Sequence, residues 1–141
     1  MFIHSLLVVL VTLVPIYAYY GVDLSVLTQS ADWECLVNER NVTYAIVRAY
    51  RNTGLVDSNS TNSLHFAAQA GVKDLGIYLF PCVTTSSYAV SKNIVCPSPE
   101  EQVLETVKFL RENHVFIKRN FPNSVDPTKI PKNAVIVNRV W

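Results

Sequence analysis

Apolar segments alternate with amphipathic segments along this chain, and this alternation is the strongest constraint on its fold. Periodicity predicts, in chain order, a strand at 19–25, a helix at 30–41, a strand at 44–50, a helix at 63–70, a strand at 74–80 and a helix from 98 to about 114. The strands begin roughly 25 to 30 residues apart, the length of one βα unit. Such alternation implies parallel strands with right-handed crossovers, so the sequence predicts an α/β fold.

Helix-end signals support these assignments. Ser98 is a predicted N-cap, and Glu101 three residues later completes a capping box around Pro99. Ser30 is the predicted N-cap of the first helix, and Gly71 follows the second helix at the position that favours a left-handed residue. These local signals predict helices between the strand segments.

The second predicted strand, at 44–50, is apolar nearly throughout, which is typical of a strand that is covered on both faces. The pattern fits either a doubly wound sheet or part of a (β/α)₈ barrel. No glycine-rich phosphate loop follows the first strand, which argues against a nucleotide-binding fold. The residues alone leave both of the other architectures open.

The first 18 residues have the features of a secretory signal peptide. An apolar run from Leu6 to Val14 precedes Ala18, a plausible cleavage point. The run is shorter than the roughly 20 residues of a spanning helix, so we expect no stable membrane anchor after cleavage. Sequons at Asn41 and Asn59 predict N-glycosylation and agree with a secreted, extracellular protein.

Three cysteines would oxidise in that compartment, and their odd number leaves one without a partner in the chain. Cys82 and Cys96 flank one long loop and are the first choice for a disulfide, with Cys35–Cys82 a close alternative. No cysteine pair has zinc-ligand spacing and the three histidines form no cluster, so neither a metal nor a cofactor is predicted. The net charge of +1, without a basic aromatic stripe, predicts no nucleic-acid partner.

Several segments together resemble the nematode and amoeba lysozymes of glycoside hydrolase family 25. The matching segments are Gly21-Val22-Asp23-Leu24-Ser25, Tyr44-Ala45-Ile46-Val47-Arg48-Ala49-Tyr50, Gly54-Leu55-Val56-Asp57 and Ile77-Tyr78-Leu79-Phe80-Pro81-Cys82. Their order and spacing agree with the family, and the match covers roughly residues 19–114. Each segment alone would be weak, and the combination is specific.

The resemblance implies a secreted muramidase. Family members cleave the β-1,4 bond between N-acetylmuramic acid and N-acetylglucosamine in bacterial peptidoglycan, and those of worms are associated with innate defence and bacterial digestion. Their fold is a modified β/α barrel, and a complete barrel takes roughly 250 residues. The 141 residues of this chain therefore predict a partial (β/α) barrel of three to four βα units with parallel strands, not closed.

The resemblance also implies a set of site residues. The family's first-strand aspartate corresponds to Asp23, which makes it the candidate catalytic residue. Arg48, Tyr50 and Tyr78 are candidate substrate-binding residues, because aromatic rings can stack on sugars and a charge inside an apolar strand needs a partner. Arg48 could equally form a structural ion pair with Asp23 or another acid, and the two tyrosines could equally fill the barrel.

The family's main proton donor is missing from its expected position. It is the glutamate of an Asp-x-Glu motif at the end of the fourth strand, just after the third helix. Asp126 is the only carboxylate side chain after Glu112. The Asp-x-Glu at 32–34 lies at a helix start, where residues two apart point in different directions, so it is assigned no catalysis. The sequence therefore predicts impaired catalysis.

Residues 115–141 form an atypical basic tail. Val115–Ile117 could be the remnant of the fourth strand, and residues 134–137 could add a strand to the sheet. An open sheet has an unpaired strand edge, so a homo-oligomer is expected as well as marginal stability of a single copy. Two alternatives to an impaired lysozyme stay open: a non-catalytic wall-binding or regulatory fragment, and a truncated gene model of an active lysozyme.

Overall fold

The computed structural model describes residues 19–118, 135–137 and 139–140. Strands and helices alternate along it. The elements are β1 Tyr20–Leu24, α1 Ser30–Arg40, β2 Val42–Arg51, β3 Leu55–Val56, α2 Ser60–Ala70, β4 Asp74–Leu79, α3 Ser87–Lys92, α4 Pro99–Glu112, β5 Val115–Ile117, β6 Val135–Val137 and β7 Arg139–Val140. The predicted α/β class is confirmed. The predicted leader at 1–18 lies outside the described residues.

The main sheet is open and mostly parallel. Its strand order is β1-β2-β4-β7, and the short β3 pairs antiparallel with β2. β1, β2 and β4 run parallel because a helix connects each strand to the next. Their C-terminal ends therefore meet at one end of the sheet.

Helices cover one face of this sheet. Alternate residues of β2, namely Ala45, Val47 and Ala49, are buried against them. The largest side chain of the core is Trp33 of α1, which has no exposed surface. The core residues are Trp33, Ala45, Val47, Ala49, Leu64, Ala67, Val72, Leu75, Ile77, Leu110, Val115 and Val137.

The second strand was predicted to be covered on both faces, and among the described residues the two faces of β2 differ. Tyr20 and Asp23 of β1 are exposed, and Ile46 and Arg48 on the second face of β2 are only half-buried. The second face of β2 is itself partly apolar, since it includes Ile46. Among the described residues β1 pairs only with β2. Its exposed outer edge is compatible with the predicted homo-oligomer, which stays a prediction.

Helix ends follow the local signals with small corrections. The Ser98 hydroxyl accepts a hydrogen bond from the Glu101 N–H, and the Glu101 carboxylate accepts one from the Ser98 N–H, so the predicted capping box is confirmed. This second bond holds the pKa of Glu101 below its usual value. Gly71 adopts φ +98°, as its position after α2 requires. The N-cap of α1 is Gln29 rather than Ser30, because Asp32 accepts a hydrogen bond from the Gln29 N–H.

The predicted strand at 134–137 contributes differently from expectation. β6 pairs with β5 in a separate two-stranded parallel sheet, and β7 pairs with β4 in the main sheet. Val115 and Val137 are fully buried in the core. The two ends of the predicted tail therefore pack on the α/β unit, while residues 119–134 lie outside the described residues.

Candidate functional site

Three parallel strands bring polar residues to the C-terminal end of the sheet, on the face opposite the described helices. Asp23 is in register with Ile46, and Arg48 is in register with Tyr78. Since register partners in a sheet share a face, Asp23, Arg48 and Tyr78 all lie opposite the helices. Ligands of open α/β sheets bind beyond the carboxyl ends of the strands, so this is the place to look for a site.

Asp23 is exposed near the end of β1. Within the described part of the chain, its side chain makes no hydrogen bond or ion pair. Burial raises the pKa of the Tyr78 phenol, and the charge of Asp23 adds to the rise. Asp23 is therefore an accessible carboxylate at the strand ends whose charge acts on Tyr78.

Arg48 pairs with Asp57, and not with Asp23. Its Nε donates a hydrogen bond to Asp57 Oδ2 at 2.9 Å, and its Nη2 lies 2.8 Å from the same oxygen. The same Nη2 donates to the Ser25 carbonyl at 2.7 Å. The Arg48 side chain retains 24% exposure, so its charge is compensated while part of it still faces solvent.

Asp57 is the residue that the sequence analysis missed. Its side chain is only 4% exposed, and its Oδ1 accepts hydrogen bonds from Arg51 at 3.1 Å and from the Asn59 N–H at 3.3 Å. A signal was available, because two arginines in one apolar strand need a nearby acid. We call Asp23, Arg48, Asp57 and Tyr78 the strand-end cluster.

Tyr78 and Tyr50 occupy different surroundings. Burial raises the pKa of Tyr78, with Asp23 and Asp57 adding to the rise and Arg48 opposing it. Burial also raises the pKa of Tyr50, but there Glu105 and Glu101 add to the rise. Both of those acids lie on α4.

A register shift between Arg48 and Tyr50 separates the two tyrosines. Tyr50 is fully buried and offers no surface to a sugar, whereas Tyr78 is half-buried within the strand-end cluster. Of the two tyrosines proposed from the sequence, Tyr78 alone has surface at the site.

Replacing Asp23 with asparagine is expected to lower the pKa of Tyr78 and leave that of Tyr50 unchanged, because only Tyr78 senses the Asp23 charge. Tyrosinate absorbance during an alkaline titration measures both, with Tyr78→Phe and Tyr50→Phe to assign the signals. Glu105→Gln is the crossed control and should lower only the pKa of Tyr50. An unchanged titration of Tyr78 in the Asp23→Asn variant would contradict the described geometry.

The same titration has a consequence for stability. Both tyrosine pKa values lie above the ordinary value of 10, so the folded chain holds these protons more tightly than the unfolded chain. Their contribution to stability is complete below about pH 10 and is lost as the pH rises through the folded-state pKa values.

A disulfide closes the loop that follows β4, at the same end of the sheet as the strand-end cluster. It joins Cys82 to Cys96, the pairing placed first from the sequence. Gln102 of α4 fastens the same loop, since its side chain accepts from the Cys82 N–H at 2.9 Å and donates to the carbonyls of Cys82 and Pro97 at 3.0 and 2.9 Å. Cys35 is exposed, and a hydrogen bond with Glu39 raises the pKa of its thiol.

The two sequons lie at opposite ends of β2. Asn41 precedes the strand in a left-handed conformation, and Asn59 follows β3 as the residue before α2. Both asparagines are exposed, whereas Ser60 and Thr61 of the second sequon are buried. Either asparagine has room for a glycan, and glycosylation stays a prediction.

Two other kinds of site were sought in the described residues. No group of three or more histidine, cysteine, aspartate or glutamate residues there could hold a metal ion. Over the same residues, every helix is too short or too polar to cross a membrane.

A family model described as Lysozyme-like protein 1 matches residues 15–136, most of the chain. The chain belongs to the lysozyme-like protein 1 family. The match includes all three strands that build the strand-end cluster and the helices behind them. The resemblance to family 25 lysozymes that the sequence analysis drew from residues 19–114 is confirmed by this match and by the curated relatives below.

Three relatives of the lysozyme-like chain come from Dictyostelium discoideum. Probable GH family 25 lysozyme 5 is 31% identical over 112 residues, covering 79% of this chain and 46% of that protein. Probable GH family 25 lysozyme 4 is 32% identical over 109 residues, covering 74% and 46%. Probable GH family 25 lysozyme 2 is 35% identical over 88 residues, covering 62% and 41%. The chain thus spans about half the length of the curated relatives it matches, and no solved structure matches it.

The strand after α4 in this lysozyme-like chain carries no carboxylate. β5 consists of Val115, Phe116 and Ile117, and Lys118 follows it. Within the strand-end cluster the carboxylates are Asp23 and Asp57, and both oxygens of Asp57 are engaged by arginines. Asp23 is therefore the one carboxylate of the cluster whose oxygens are available to a ligand.

Proposed function

We propose that this lysozyme-like chain binds bacterial peptidoglycan at the strand-end cluster and has impaired muramidase activity. The observation that carries the proposal is the pairing of Asp57 with Arg48 and Arg51. Glycoside hydrolysis commonly requires two carboxyl groups, one of which protonates the leaving oxygen. Asp57 oxygens held by two guanidinium groups are not free to do so, and Asp23 then lacks a partner in the cluster.

The remaining groups of the cluster suit sugar recognition. Asp23 can accept hydrogen bonds from sugar hydroxyls. Tyr78 is half-buried and offers both its aromatic ring and its phenol hydroxyl. Arg48 has part of its side chain at the surface and its charge already compensated. Peptidoglycan is the expected polymer because the family resemblance and the names of the relatives indicate lysozymes.

The cellular setting is part of the proposal. The leader at 1–18 and the exposed sequon asparagines support a secreted, extracellular glycoprotein that takes part in innate defence or bacterial digestion. The helices on one face of the sheet and the polar residues at its strand ends support the proposal that this open sheet is a partial β/α barrel. The exposed outer edge of β1 supports self-association as a homo-oligomer.

A wall-binding and clearing assay tests the proposed function. The purified, secreted chain is expected to sediment with bacterial cell walls without clearing a wall suspension that an active lysozyme clears. Asp23→Asn should weaken wall binding about 10-fold, the usual cost of losing a charge-assisted hydrogen bond. Asp74→Asn is the matched control, because Asp74 begins β4 at the opposite end of the sheet, and it should bind like the unmodified chain.

The assay has clear contrary outcomes. Robust clearing by the chain would refute impaired catalysis, and clearing that survives Asp23→Asn would also remove the role given to Asp23. Wall binding that is equally weakened by Asp74→Asn would remove the strand-end cluster as the binding site. Failure of the unmodified chain to bind would refute the proposed ligand.

A truncated gene model of an active lysozyme is the second candidate, and the strand after α4, which carries no carboxylate where the family resemblance implies an Asp-x-Glu motif, favours it. Sequencing the native transcript beyond the codons of α4 decides between the two. A transcript that encodes an Asp-x-Glu strand there would make the native protein a candidate enzyme. A transcript that matches the present sequence would leave the wall-binding proposal in place.

A further inference from the structure

Asp57 is the most enclosed charged side chain of the strand-end cluster. It sits just after β3, and its carboxylate takes contacts from Arg48, Arg51 and the Asn59 N–H at 2.8 to 3.3 Å. Its backbone is fastened as well, since its N–H donates to the Ala49 carbonyl at 2.8 Å and its carbonyl accepts from the Ser60 N–H at 3.0 Å. These hydrogen bonds and ion pairs thus hold Asp57 between β2 and the start of α2.

Arg48 links Asp57 to the segment that follows β1. While Asp57 holds the Nε and Nη2 of Arg48, the same Nη2 donates to the carbonyl of Ser25, two residues after Asp23. A guanidinium is planar, so holding its Nε and Nη2 on one carboxylate oxygen sets the plane of the group and with it the direction of the remaining N–H donors. The carbonyl of Ser25 is therefore held by an arginine whose orientation Asp57 decides.

The segment after β1 has a second attachment to the same region. The Thr28 N–H donates to the Ser63 hydroxyl at 3.2 Å, and Ser63 is fully buried in the first turns of α2. The side chains of Arg48 on β2 and Ser63 on α2 thus hold residues 25–28. Asp57 orients the first of these side chains.

We infer that Asp57 is a positioning residue of the wall-binding site, which acts through Arg48 to hold residues 25–28 and thereby the end of β1 that carries Asp23. Asp57 itself is too buried to touch a sugar polymer, so its effect on a ligand is indirect. The inference rests on the proposed function for the identity of the ligand. The effect of Asp57 on residues 25–28 is inferred from the contacts alone.

Arg51 provides a matched control within the same ion-pair cluster. It contacts Asp57 Oδ1, whereas Arg48 contacts Oδ2 and also reaches Ser25. Arg51→Met therefore removes one ion pair of Asp57 and leaves the route to Ser25 intact. Asp57→Asn keeps the shape of the side chain but presents an amide N–H₂ or a neutral oxygen to Arg48, which weakens the two contacts that hold the guanidinium.

Native-state hydrogen exchange tests the chain-segment part. In Asp57→Asn, exchange of residues 24–28, including the Thr28 amide, is expected to accelerate about 10-fold relative to the amides of α4, in line with the loss of a charge-assisted hydrogen bond. In Arg51→Met the same segment should accelerate less than about 2-fold on that relative scale. Equal acceleration in both variants, or none in Asp57→Asn, would overturn the inference.

Binding of soluble, enzymatically released peptidoglycan fragments tests the ligand part on the same three proteins. Asp57→Asn is expected to weaken binding about 10-fold, and Arg51→Met less than about 2-fold, even where their unfolding midpoints fall by similar amounts. Equal weakening in both would show a general structural effect and overturn the positioning role. If the unmodified chain binds no fragment, the proposed function fails, while the exchange result still decides whether Asp57 positions residues 25–28.

Discussion

Replacing Leu110 with alanine is expected to lower the free energy of unfolding by about 3 kcal/mol, the usual cost of emptying a buried leucine site. Leu110 lies on α4 with no exposed surface and belongs to the core that the helices share with the sheet. Its loss leaves a cavity that the surrounding β-sheet cannot easily fill. Urea unfolding followed by far-ultraviolet circular dichroism measures the change.

Leu104 on the same helix is the control. Its side chain is 67% exposed, so Leu104→Ala should change the free energy of unfolding by less than about 0.5 kcal/mol. The two variants make the same chemical change in one helix and differ only in burial. Similar losses in both would mean that α4 does not pack with the Leu110 face on the sheet.

Removing the Cys82–Cys96 disulfide is expected to lower the free energy of unfolding by about 3 kcal/mol, because the bond closes a loop and so restricts the conformations of the unfolded chain. The two cysteines are 14 residues apart, and the loop between them contains α3. The double variant Cys82→Ala with Cys96→Ala avoids leaving a thiol behind. Urea unfolding of the oxidised chain and of this variant, measured side by side, gives the difference.

Cys35→Ser is the control for the disulfide experiment. Cys35 is exposed and carries a free thiol, so its replacement should leave the unfolding midpoint unchanged. A loss on Cys35→Ser as large as that of the double variant would mean that Cys35 takes part in the native disulfide. That outcome would revive the Cys35–Cys82 pairing, the alternative left open by the sequence.

Several features were predictable because their causes are local. The capping box of Ser98 and Glu101 depends on residues three apart, and Gly71 follows a helix at the position where a left-handed residue is favoured. The alternation of strands and helices depends on periodicity within each segment. Asp23 was placed at the end of the first strand by the same reasoning, reinforced by the family resemblance.

Other features were not predictable because they depend on which segments meet. Asp57 lies 9 residues from Arg48 in the sequence, and its role appears only when β3 folds back on β2. The burial of Tyr50 follows from the register shift that precedes it. The apolar run at 44–50 suggested a strand covered on both faces, whereas among the described residues the helices pack on one face and Ile46 and Arg48 on the other are half-buried.

The α/β class, the capping box of α4, the end of α2 at Gly71, the family and the position of Asp23 could be read from the sequence, since each depends on residue type and short-range spacing. The tertiary structure alone decided that Arg48 pairs with Asp57, that Tyr78 rather than Tyr50 keeps surface at the site, and that β1 is an exposed edge. The physical reason is that the partners of a charge and the burial of a ring are properties of packed neighbours. A local pattern can indicate that Arg48 needs an acid, but only the packed elements show which acid meets it.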